Sequence, residues 1–66
     1  MEKLTDREMT ILKLITLGYD NKQISKNVFI SIHTVKAHIS SIIRKLCAKN
    51  RTNAVYIALK NHLLDE

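Results

Sequence analysis

Proline and tryptophan are absent from this chain of 66 residues, glycine occurs once, at Gly18, and cysteine once, at Cys47. Each shortage removes a class of architecture. With no proline and one glycine there is no flexible linker, no low-complexity stretch and no sign of an internal domain boundary. One cysteine cannot close an intramolecular disulfide, which fits a reducing compartment. No signal sequence and no apolar run long enough to cross a bilayer is present, so a soluble, cytoplasmic protein with no membrane contact is expected. Acids are also short: six Asp and Glu stand against eleven Lys and Arg, a formal charge of +5. That balance favours a polyanionic partner. The length allows one domain, residues 1–66, with a small core of marginal stability.

What is present is helical periodicity. From Ser31 to Leu46, the apolar residues Ile32, Val35, Ile39, Ile42 and Leu46 recur at spacings of three and four, with Ile43 beside them. At about 100° per residue they form one stripe of an α-helix, the expected buried face. The opposite face carries His33, Lys36, Ala37, Ser40 and Arg44, with no acid among them. Ser31 stands at the N-cap position, with Thr34 able to help satisfy the free amides, and a phosphate can sit at the same helix end.

Other helix boundaries are equally readable. Thr5-Asp6-Arg7-Glu8 is a capping box, and Leu4 and Met9 suit a hydrophobic staple across it. Ile11, Leu12, Leu14 and Ile15 give the first helix a broad buried face, and Gly18 provides its left-handed end after Leu17. Asp20 or Asn21 caps a second, two-turn helix whose stripe is Ile24 and Val28; Ser25 beside Ile24 lets another helix cross closely. Asn50 or Thr52 caps a fourth, with Ala54, Ile57 and Ala58 facing inward. The spacing predicts an all-α fold of four helices at about residues 5–17, 21–28, 32–46 and 51–63.

The order of the middle elements carries a functional expectation. A short helix, the three-residue link Phe29-Ile30-Ser31 and a longer basic-faced helix make a helix-turn-helix. In that motif the second helix enters the major groove of double-stranded DNA. Lys36, Ala37 and Ser40 would then meet base edges, with His33 and Arg44 nearer the groove walls. The fourth helix is apolar around more of its circumference than a small core needs. Val55, Tyr56, Leu59 and Leu63 lie on its adjoining stripe, either as the interface of a two-fold homodimer or, for Leu63 and Leu64, folded back on the first helix.

Catalysis finds no support. His33 and His38 are five apart and do not share a helix face, Cys47 has no evident base, and no glycine-rich phosphate loop exists. Neither an enzyme nor a cofactor-binding protein is expected. Cys47 reads as a half-buried small hydrophobe. The competing class is a basic helical interaction module that binds a partner helix or an anionic surface without reading DNA sequence.

Taken together, Leu4-Thr5-x-Arg7-Glu8, Ile11-Leu12, Gly18, Asn21-Lys22-x-Ile24, Val28-x-Ile30-Ser31, Thr34-Val35-Lys36-x-His38, Lys45-Leu46, Asn50-Arg51 and Ala54-Val55 resemble the DNA-binding domain of the LuxR family of bacterial transcription regulators. No one motif is specific; the ordered set, from Leu4 to Val55, is. The resemblance implies a GerE-like domain that binds a roughly two-fold symmetric site as a dimer through its fourth helix. It implies base contacts from Lys36, Ala37 and Ser40, and phosphate contacts from Thr34, Lys22 and Lys45. It also implies an ion pair between Glu8 and Arg51. RNA polymerase is a further partner if the regulator activates. Two residues depart from the family pattern: Cys47 stands where glycine is usual, and Asn53 replaces a common glutamate. The family usually joins this domain to a phosphate-receiving or small-ligand domain, which these residues do not contain. A stand-alone regulator, favoured by the initial Met and the missing linker, and a domain cut from a larger one both fit.

Overall fold

The computed structural model describes residues 2–65. Four helices follow one another: α1 (Asp6–Thr16), α2 (Asn21–Val28), α3 (Ile32–Lys45) and α4 (Arg51–Lys60). No strand occurs among the described residues. The core is built from Ile11, Leu12 and Ile15 of α1, Ile24 of α2, Val35, Ile39 and Ile42 of α3, Leu46 after it, and Ala54 and Ala58 of α4. α3 packs against each of the other three helices, so its orientation is fixed from all sides but one. Each fully buried Ile or Leu contributes about 1.5–3 kcal/mol.

Side-chain caps start all four helices. Thr5 and Glu8 exchange hydrogen bonds with each other's backbone amides at 3.1 and 2.9 Å, and Asp20 and Gln23 do the same at 2.8 and 2.9 Å. Ser31 accepts from the Thr34 amide and Asn50 from the Asn53 amide. The Thr34 hydroxyl turns to Ser31 Oγ, 3.0 Å away, instead of to the free amides. Asn53, the uncommon residue of the α4 first turn, accepts from the Lys49 amide at 2.9 Å and so ties the preceding loop to the helix.

The ends share one geometry. A residue in the left-handed region follows each helix: Gly18 (φ 90°), Phe29 (φ 59°), Cys47 (φ 54°) and His62 (φ 53°). The next residue then donates its amide back into the last turn: Tyr19 to the Leu14 carbonyl, Ile30 to Ser25, Ala48 to Ile43 and Leu63 to Ala58, at 3.0–3.2 Å. These are Schellman closures, and glycine occupies only one of the four left-handed positions. The reversal folds Tyr19, Ile30, Ala48 and Leu63 against the core.

This geometry corrects four expectations. α4 ends at Lys60, because the left-handed His62 turns the chain; Leu63 therefore leaves the outer stripe and packs inward with Leu64. Cys47 is exposed instead of half-buried, since a left-handed residue at a helix end points its side chain outward. Ile32 is 41% exposed, whereas Val35, Ile39, Ile42 and Leu46 are buried as the periodicity demands. Glu8 and Arg51 do not pair. Glu8, only 3% exposed, accepts from Lys45 Nζ and Ser41 Oγ, each at 2.7 Å. Arg51 instead donates to Asn21 Oδ1 and to the Tyr19 carbonyl, bracing α4 against the start of α2.

Candidate nucleic-acid interface

The helix-turn-helix is held by contacts that the sequence pattern did not announce. Ser25 Oγ donates to the Ile30 carbonyl within the turn, and Arg7 Nη1 donates at 3.0 Å to the Val28 carbonyl, which the end of α2 leaves without a helical partner. The small side chain of Ser25 fits where the turn crosses close to α2, and its hydroxyl locks that turn. Phe29, the first residue of the link, is 92% exposed.

α3 presents its polar side outward. Lys36, Ala37, Ser40, His33 and Arg44 are all exposed, as are Ser31 at the helix start and Lys22 on α2; Thr34 and His38 are half-buried. No acidic residue lies on the exposed side of α3, which therefore offers a cationic and hydroxyl surface to an approaching anion. The small Ala37 between Lys36 and Ser40 lets a partner come close to the helix backbone. Arg44 meets Glu2 at 3.1 Å with both side chains 63% exposed. An ion pair so open to solvent is worth little.

Lys45 is different from the other cations expected to touch phosphate. Its ammonium lies against Glu8 and its side chain is 15% exposed, because it sits about 100° round the helix from Arg44, on the side that faces α1. It is a brace for α3, with no free donor face comparable to that of Lys36. Burial by itself would raise the Glu8 carboxyl; hydrogen bonds from Lys45, Ser41 and the Thr5 amide, with the Lys45 charge, more than offset it and hold the group down at about 2. Ser41 and Lys45 are four apart and so share this face, a spacing visible in the sequence once Glu8 is known to be buried.

Among the described residues no group of three His, Cys, Asp or Glu side chains converges as a metal ion would need, and no helix is long and apolar enough to cross a membrane.

Known proteins share this arrangement. Residues 2–58 match the family described as bacterial regulatory proteins, luxR family. The transcriptional regulatory protein LiaR of Bacillus subtilis is 48% identical over 64 residues, covering 97% of this chain and 30% of LiaR. The chain thus spans about a third of the length of such relatives. The solved structure of the transcription factor GerE superposes with a TM-score of 0.84 at 39% identity, covering 89% of this chain and 88% of GerE. A Vibrio cholera VqmA–ligand–DNA complex superposes with a TM-score of 0.87 at 27% identity, over 100% of this chain and 32% of that one. With the capped helix-turn-helix, the buried α3 stripe and the match over residues 2–58 in agreement, this chain belongs to the luxR family of bacterial regulatory proteins, as a GerE-like helix-turn-helix DNA-binding domain.

Proposed function

We propose that residues 1–66 act as one module that reads a preferred sequence of double-stranded DNA and regulates transcription through it, without catalysis or cofactor. The observation that carries this reading is the outward trio Lys36, Ala37 and Ser40 on a helix whose other side is locked into the core. The net charge supports it, as does the likeness to VqmA, which has been solved with DNA. With the N-terminal half of α3 in the major groove, Lys36 donates to a purine edge, Ser40 takes either hydrogen-bonding role and Ala37 allows close approach. Lys22, Ser31, His33, Thr34 and Arg44 hold the flanking phosphates. A second copy of the chain pairs through the α4 side chains Tyr56 and Leu59, which are 58% and 59% exposed, with Val55 at the margin, so that two recognition helices meet a two-fold symmetric site. The module works in the cytoplasm, where bacterial DNA lies, and it touches RNA polymerase if it activates.

The test is selection of bound duplexes from a random pool, followed by titration at several salt concentrations. The expected result is one preferred half-site, repeated in inverted orientation, with log affinity falling linearly in log salt. Binding that depends on salt but selects no sequence would reduce the chain to an anionic-surface module.

A further inference from the structure

Ile32 belongs by period to the buried stripe of α3, yet 41% of it remains exposed, while Val35 three residues later is completely buried. It is the first residue of the helix, directly after the Ser31 cap. At about 100° per residue, Ile32 lies about 40° round the helix from Lys36 and about 80° from Ser40, and about 60° from Val35 on the other side. It thus stands on the border between the two faces, at the head of the row Ile32, Lys36, Ser40, which runs along the exposed side. That row begins at the helix end that reaches base edges first in a helix-turn-helix. Lys36 and Ser40 offer hydrogen bonds. Ile32 alone in this row offers a branched aliphatic surface, which matches the one apolar group on the major-groove edge of DNA, the C5 methyl of thymine.

We infer that Ile32 is a specificity-determining residue that packs against a thymine methyl next to the base contacted by Lys36. The inference rests on the DNA-reading function proposed above and adds a position to it. Lys36 and Ser40 define what is hydrogen-bonded, Ala37 permits close approach, and Ile32 selects thymine over cytosine at a neighbouring step by apolar contact alone.

A duplex obtained by selection is made with each thymine replaced singly by deoxyuridine, which lacks only the C5 methyl. The wild-type chain is expected to lose about three- to fivefold in affinity at one thymine, the effect of one methyl group no longer buried. Ile32→Ala should bind more weakly and show no further loss at that position, with Ile32→Val intermediate and all other positions unchanged. Circular dichroism and thermal melting establish that each variant is folded; if Ile32→Ala is not, the Ile32→Val comparison decides. A selected site without thymine, or a deoxyuridine effect equal in wild type and the folded variants, overturns the role of Ile32 while leaving the DNA-reading function standing. Failure to select any preferred duplex overturns both together.

Discussion

Lys45 Nζ lies 2.7 Å from Glu8 Oε1, and this buried contact fixes the last turn of α3 to the first turn of α1. Glu8 serves two helices at once. Oε1 also accepts from the Thr5 amide in the α1 capping box, and Oε2 accepts from Ser41 on α3. The way α3 lies across α1 therefore depends on a carboxylate that remains ionised.

Acid should weaken the fold through this group. Its folded pKa of about 2 lies below the ordinary value of 4.5, so the stabilisation is fully present above about pH 4.5 and is lost as pH falls towards 2. Allowing for screening by nearby water in so small a domain, about 1–2 kcal/mol is at stake. Denaturant unfolding at pH 7 and at pH 3 measures it. Glu8→Gln should remove this pH dependence and cost about 2–3 kcal/mol at pH 7, because the Lys45 ammonium is left without its counter-charge.

Two lysines should separate reading from holding. Lys36→Ala is expected to cost about 1–3 kcal/mol on the preferred duplex and to relax the choice at one base position, whereas Lys22→Ala should weaken all duplexes alike and lower the salt slope by about one. Equal loss by Lys36→Ala on preferred and random DNA would remove its role as a base reader. Competition titrations with both duplexes give the comparison directly.

Left-handed positions without glycine should be open to improvement. Phe29→Gly and Cys47→Gly are each expected to raise stability by about 0.5–1 kcal/mol, since a Cβ at φ 59° or 54° strains the backbone and glycine does not. Chemical denaturation of the two variants provides the measurement. Unchanged or lower stability would mean that the exposed Phe29 ring or the Cys47 thiol makes a compensating contact.

The outer face of α4 should decide assembly. Tyr56→Asp with Leu59→Asp is expected to leave the melting temperature nearly unchanged, because both side chains are more than half exposed, and to abolish pairing on a two-fold site. Light scattering with and without DNA tests it; wild-type-like stoichiometry in the double variant would move the interface elsewhere.

Much of this was legible in the residues. Caps were the clearest signal: Thr5, Asp20, Ser31 and Asn50 each begin a helix, because a short polar side chain before an apolar period has few other uses. The α3 stripe was readable for the same reason, since a period of three and four residues has one geometric solution. Helix ends were less so. Only Gly18 advertises a left-handed residue, whereas Phe29, Cys47 and His62 adopt that conformation because the chain must return Ile30, Ala48 and Leu63 to the core. Pairing of charges failed for a related reason. Glu8 could have met Lys45 or Arg51, and the choice depends on how α3 lies across α1, which no local pattern contains. Ile32 shows the limit of periodicity at a helix start: it has the right phase for the core and yet remains partly exposed.

The left-handed Cys47 gives the molecule a built-in reporter. Its thiol is exposed, no second cysteine competes for reagent, and it sits just past the end of α3 remote in sequence from Lys36. A fluorophore or spin label attached there would report on the approach of α3 to a duplex without occupying the trio proposed to read it.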